Sequence, residues 1–319
     1  MKKILIIGGC GYLGARIAEY LASSDYQISI LNRSRPAGYE KWSSLMNDFI
    51  LGDIQDERVI EIIKDRNFEI IINLVSLDHH QSNENPNLVS SINVMPTWNI
   101  LEKLSNNGLK KFIYFSTIHV YGKIPNQLIS EDYPLSPINT YGLTHLLSEN
   151  ICNYFNHKTN IECINIRLSN SYGSPVFKEN NCWWLVINDF CKSAFNFKKI
   201  NLNSDGSPQR DFIHSFDICS AIKLIIETNL KDNIFNIASG KTFTILELAH
   251  IVKKTYEDQY QKTININFLD GSSTTNQNEH KNIKKYNIDI SRIKKYGFKP
   301  KIDLTTGINT IFKYLDKNN

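Results

Sequence analysis

Short apolar runs alternate along this chain with longer stretches whose apolar residues recur every three or four positions. Residues 4–7, Ile-Leu-Ile-Ile, predict a buried strand, and residues 13–21 follow with helical spacing. Further strands are expected at 28–31, 49–51, 70–75, 112–116 and 161–166. Between them, Val59, Ile60, Ile62 and Ile63 mark one face of a helix. Another helix is expected from about 87 to 106, before Gly108, and another within 136–155. Continuous apolar strands separated by helices predict an α/β fold with a doubly wound parallel sheet covered on both faces.

After about Arg167 the rhythm weakens. Residues 183–195 read as a helix, 235–237 as a strand, and 245–253 as a helix opened by Thr244. We expect residues 1–166 to form the sheet domain and 167–319 a smaller C-terminal lobe closing over the sheet's carboxyl edge. No linker separates them, and the boundary is approximate because folds of this kind interleave. The polar stretch 270–284 reads as a surface loop.

Composition narrows the class. The 319 residues are 41% hydrophobic and 21% charged, with a formal net charge of +4, ordinary for a globular protein. No basic run suggests nucleic acid, and no segment has the length of a membrane span. The opening apolar run breaks at Gly8-Gly9, too early for a signal peptide. Six scattered cysteines, without CxxC pairs or histidine clusters, predict reduced buried thiols, no metal site and a cytoplasmic protein.

The chemistry begins at Gly8-Gly9-Cys10-Gly11-Tyr12-Leu13-Gly14, between a strand and a helix. Gly8 permits the tight turn, Gly11 lets the backbone approach a pyrophosphate, and Gly14 lets helix and strand pack closely. The helix N-terminus then offers free N–H groups to phosphates. This predicts a Rossmann dinucleotide site. Where selectivity for NAD calls for an acidic residue, the second strand ends in Asn32-Arg33. A guanidinium suits a 2′-phosphate, so NADP(H) is favoured over NAD(H). Asp53, followed by Ile54, is a candidate for the adenine amino group, or else a helix N-cap. Leu74, Val75 and Ser76 end the fourth strand, where backbone passes the cofactor.

With these pieces stand Asn93-Val94, the run Phe115-Ser116-Thr117-Ile118-His119-Val120-Tyr121-Gly122, and Tyr141-Gly142. Further on come Arg167-Leu168-Ser169-Asn170-Ser171-Tyr172-Gly173, Gln209-Arg210-Asp211-Phe212-Ile213-His214 and Phe235-Asn236-Ile237-Ala238-Ser239-Gly240. In this order, over nearly the whole chain, they resemble the extended short-chain dehydrogenase/reductases. The group concerned is that of UDP-glucose 4-epimerase, sugar-nucleotide dehydratases and nucleotide-sugar ketoreductases. The resemblance implies catalytic Thr117 and Tyr141, with Tyr141 exchanging a proton with the reacting oxygen while hydride moves. It also implies Asn93 and Ser169 near the cofactor, Asn170 and Arg210 on a nucleotide-diphosphate sugar, and a homodimer. In that dimer helices near 87–106 and 136–155 would pack across a two-fold. Leu143, Leu146, Leu147 and Ile151 could serve that interface or face the sheet.

The chain departs from the family at His145, where a lysine normally follows the tyrosine by four. Three readings follow: His145 acts as a partly protonated helper, another cation substitutes, or the protein binds its ligands with little turnover. Dehydratases carry Asp-Glu after the threonine, and Ile118-His119 here argues against loss of water. His119 is either an acid–base group or a packed residue. His80 is a candidate at the sugar, as a second acid or base for epimerisation beside a ketone. The main expectation is reduction of a 4-keto sugar, with an epimerase holding bound NAD as the alternative. A weakened binding protein is the reading from another class.

Overall fold

The computed structural model describes residues 1–78, 81–83, 85–125, 127–269 and 285–318. The stretch 270–284 expected as a loop lies outside these, as does His80. A seven-stranded parallel sheet forms the centre. Its order is Ile234–Ile237, Glu162–Leu168, Lys111–Thr117, Ile70–Asn73, Lys2–Ile7, Tyr26–Asn32 and Asp48–Leu51. The chain starts in the middle, runs out to one edge, and returns to build the other side. The order therefore reverses between Lys2–Ile7 and Ile70–Asn73, and a doubly wound sheet opens its ligand crevice at that point.

Side-chain alternation along the first strand explains why both faces are covered. Ile4 and Ile6 enter one apolar core with Ile17 and Ala18. Leu5 and Ile7 enter a second core on the opposite face, with Ile63 and Leu101. The helix expected over 87–106 is two helices, Pro86–Asn93 and Met95–Leu104. Pro96 has no N–H to give the preceding turn, so the helix breaks at Val94, with φ −110° and ψ −59°. The helix within 136–155 runs over Thr140–Lys158, opened by Asn139, whose side chain accepts from Gly142 N.

A third core gathers the helices Val186–Phe197, Ile245–Tyr260 and Leu304–Asn318. Thr244 caps the second of these in a reciprocal capping box with Glu247. The strands Asn170–Tyr172, Gln209–His214 and Thr242–Thr244 make a small sheet beside it. Two elements cross back to the large sheet. Ile234–Ile237 pairs with Glu162–Leu168, and the helix Ser215–Glu227 packs on Tyr12–Ala22. Among the described residues no helix is long and apolar enough to cross a membrane, and no acidic, His and Cys cluster could hold a metal ion. All six cysteines are free and buried.

Candidate active site

The glycine turn leaves the strand Lys2–Ile7 at the switch point. Gly8 sits at φ +79°, a conformation that side chains disfavour, and its N–H donates to Leu31 O at 2.9 Å. A Cβ on Gly14 would overlap the Gly8 carbonyl, so helix and turn touch there. Gly11 N–H closes onto Gly8 O, and the Tyr12 hydroxyl donates to Gly173 O at 3.1 Å. Leu13 packs at the edge of the core. From the other side of the crevice the Val75 side chain comes within 3.2 Å of the Cβ position on Gly8. Leu74 and Val75 therefore run beside the turn, and Ser76 continues into the cavity.

At the adenosine end, the Asn32 side chain donates to Ser34 O at 2.8 Å. The Arg33 side chain is 75% exposed, with its guanidinium 4.0 Å from Asp53. Arg35 instead lies over the rings of Tyr39 and Phe49. Asp53 accepts from Gln55 N, while the N-cap of the next helix is Asp56, so capping is not the role of Asp53. Ile54 is buried beneath it. Asn93 is buried, its amide donating to Thr144 at 3.1 Å and accepting from Leu77 N at 2.7 Å. It ties the loop after the fourth strand to the helix carrying Tyr141. Ser169 spends its hydroxyl on Asp211 at 2.7 Å.

The reacting end is a cavity of about 440 Å³ lined by Ser76, Thr117, His119, Tyr141, Asn170 and Arg210, among others. Thr117 ends its strand and accepts from His119 N. Burial and the nearby Asp78 charge raise the Tyr141 phenol and hydrogen bonds with Thr117 and Ser76 pull it down, leaving it pushed up to about 12. No cation among the described residues contributes. Tyr141 stands edge-on between two imidazoles, with ring centres 5.5 Å from His119 and 4.5 Å from His145.

His145 is 2% exposed. Its Nδ1 lies 2.9 Å from the Tyr114 hydroxyl, and its Nε2 is buried without a protein partner. Burial, with help from His119, pushes its pKa down to about 3, so the ring is neutral near pH 7. The expectation of a partly protonated helper is corrected on that ground: water cannot reach the ring to solvate a charge.

A second cavity of about 500 Å³ shares Ile118, His119, Asn170 and Arg210 with the first and extends to Gln209 and Tyr286. Arg210 is exposed and lies on the wall common to both. Asp211 is fully buried and accepts from Ser169, Ser239 and Lys241, joining three segments. Asn170 donates to Asp211 O at 2.9 Å.

Sequence reading missed the groups under the site. Glu149 accepts from Ser116 at 2.5 Å and pairs with Arg167 at 2.8 Å. Tyr141, His145 and Glu149 recur at four-residue steps on one helix face. That spacing was the available signal.

A glycine turn at the switch point of a doubly wound sheet defines a dinucleotide-binding α/β enzyme. More particularly, the chain belongs to the NAD dependent epimerase/dehydratase family, whose family model matches residues 4–238. It is 28% identical over 319 residues to a putative UDP-glucose 4-epimerase of Methanocaldococcus jannaschii, covering 99% of each chain. It is 27% identical over 318 residues to the dTDP-4-dehydro-6-deoxyglucose reductase of Escherichia coli, covering 97% of this chain and 96% of that one. The crystal structure of UDP-glucuronic acid 4-epimerase from Bacillus cereus, in complex with UDP-glucuronic acid and NAD, matches with a TM-score of 0.79. That match has 22% identity and covers 99% of this chain and 100% of that one.

Proposed function

We propose that the chain reduces a 4-keto group on a nucleotide-diphosphate sugar. The observation that carries this reading is the neutral His145 beside Tyr141. With no cation to draw off its proton, the buried phenol stays protonated near neutral pH. A protonated phenol is ready to donate to a ketone oxygen as it becomes an alcohol. It is poorly disposed to take the proton from an alcohol, the first step of an epimerase.

Tyr141 donates the proton and Thr117 holds the same oxygen by a hydrogen bond. The cavity residues Asn170 and Arg210 hold the diphosphate, the guanidinium pairing with its oxygens. The glycine turn and the loop of Leu74 to Ser76 fit a dinucleotide, which supplies the hydride. At its adenosine ribose Asn32 and Arg33 favour NADP(H), while the Bacillus cereus enzyme was solved with NAD. Free buried thiols suit a reducing cytoplasm.

An epimerase is the second reading, favoured by the name of the Methanocaldococcus relative. One experiment separates the two. The protein is titrated with NADPH and NADH by fluorescence, then given nucleotide-4-ketosugars while loss of reduced cofactor is followed. Oxidation, lost about a hundredfold or more in Tyr141→Phe, supports the reductase. Binding without oxidation, with an epimerised sugar among the products, overturns it.

The assembly we propose is a homodimer through the helix Thr140–Lys158. Leu143 and Leu147 are 47% and 43% exposed there. Leu146 and Ile151 instead pack toward the two cores.

A further inference from the structure

The segment between the strand Asn170–Tyr172 and the helix Val186–Phe197 runs across to the sheet domain. It starts fixed to its own lobe. The buried Asn188 side chain bonds Gly173 at both its N–H and its carbonyl, at 3.1 and 2.8 Å. It then meets the helix Tyr12–Ala22, where Tyr12 and Arg16 donate to Gly173 O and Ser174 O. Further on, Phe177 packs edge-on to Trp42. The segment then reaches the glycine turn itself. The Asn180 side-chain amide donates to Cys10 O at 2.8 Å, across 170 residues of chain.

Each end of that amide has a backbone partner of the right kind. Asn180 Oδ1 accepts from Phe177 N at 3.2 Å while Nδ2 donates to Cys10 O, which sets its orientation. The Cys10–Gly11 peptide is then held at both ends, because Gly11 N–H donates to Gly8 O at 2.9 Å. The N–H groups of Tyr12 and Leu13 follow directly, at the helix start where a dinucleotide's phosphates are expected. In the other direction, Asn180 O accepts from Cys182 N, and Cys182 O accepts from Leu185 N. Leu185, with Asn181 and Trp184, lines the reacting cavity. A short run of hydrogen bonds thus joins the dinucleotide turn to the cavity wall.

We propose that Asn180 is a positioning residue that ties the glycine turn to the wall of the substrate cavity, so that dinucleotide and nucleotide sugar each strengthen the binding of the other. The inference rests on the two-ligand reading of the site and deepens it. The two states concerned are the Asn180–Cys10 contact made and the same contact broken. Phosphates on the turn need its N–H groups fixed in one direction. A nucleotide lying against Leu185 and Trp184 needs the segment seated. Both ligands bias one hydrogen bond the same way, which is what a coupling free energy between two sites requires. Arg16 and Trp42 anchor the segment independently of the Asn180 side chain. Loss of that side chain therefore removes the coupling and leaves the fold.

The test is calorimetric titration of the full-length protein with NADH and NADPH, alone and with saturating UDP, dTDP or GDP, and the converse titrations. In wild type the dinucleotide should bind about five- to tenfold more tightly when the nucleoside diphosphate is present, the effect of one hydrogen bond. The converse titration should give the same factor, because coupling is reciprocal. Asn180→Asp keeps the acceptor for Phe177 N and removes only the donor to Cys10 O. Its factor should fall to within about twofold of no coupling, and Asn180→Ala should match it without the added charge. Glu179→Gln, an exposed charge change next in the chain, should keep the wild-type factor. A residue that only braced the fold would weaken each ligand separately and leave the factor unchanged.

Independent binding of the two ligands in wild type overturns the proposal without any variant, so an Asn180 variant that fails to fold leaves it testable. A factor that persists in folded Asn180→Asp and Asn180→Ala overturns it as well. If wild type binds no dinucleotide, or none of the nucleoside diphosphates, the reading of the site fails and the proposal falls with it.

Discussion

Arg167 and Glu149 meet 2.8 Å apart beneath the reacting end of the site, their side chains 2% and 1% exposed. Glu149 also accepts from Ser116 at 2.5 Å, next in sequence to Thr117. Arg167 donates in addition to the Tyr121 hydroxyl and to Glu131 O. Removing the carboxylate charge leaves a buried guanidinium without its counter-ion. Glu149→Gln should therefore lose about 3 to 5 kcal/mol of stability, read as a lower urea midpoint with an unchanged slope.

His145→Lys tests the direction of the reaction. A lysine ammonium beside Tyr141 favours the phenolate and moves its titration to lower pH. Wild-type ketone reduction should hold level from about pH 6 to about pH 9, because Tyr141 keeps its proton throughout. The lysine variant should lose reduction rate on the alkaline side and gain in the reverse, alcohol-oxidising direction. Rate profiles in both directions check this.

Acid should weaken the fold through His145. Its folded pKa, about 3, lies below the ordinary value of about 6.5, so between them the unfolded chain binds the extra proton. The stability is complete above the upper value and is lost as pH falls toward the lower. From pH 7 to about pH 5 wild type should lose about 2 kcal/mol more than His145→Gln, measured by urea unfolding at each pH. His214, also pushed down to about 4 by burial, acts in the same sense in both proteins, so the difference isolates His145.

Leu143→Glu with Leu147→Glu should give a folded monomer by sedimentation, in contrast to the dimer proposed for wild type. Both side chains are exposed and apolar, so the charges disturb no core and act only across the interface. A wild type that sediments as a monomer overturns the dimer.

The strands were legible because their apolar runs are continuous, and the glycine turn because no ordinary strand-to-helix connection needs that spacing. The break at Val94 was hidden inside a periodic pattern, although Pro96 was its visible cause. The helix Ser215–Glu227 escaped reading, being apolar on most sides with eight buried positions. At the site, the place of His145 beside Tyr141 follows from helical spacing alone. Its neutrality does not, because burial is decided by neighbours such as Tyr114 that lie about thirty residues away along the chain. Asn93 and Ser169 show the same limit: their positions were legible, but their polar atoms are engaged by Thr144, Leu77 and Asp211.

The outermost strand of the large sheet, Ile234–Ile237, reaches its partner from some seventy residues further along the chain. During synthesis the ribosome must therefore release nearly half of the smaller lobe before the sheet can acquire its last strand. Until then Glu162–Leu168 presents an unpaired edge of main-chain donors and acceptors, open to a neighbouring nascent chain. That edge closes only once residue 237 has left the exit tunnel.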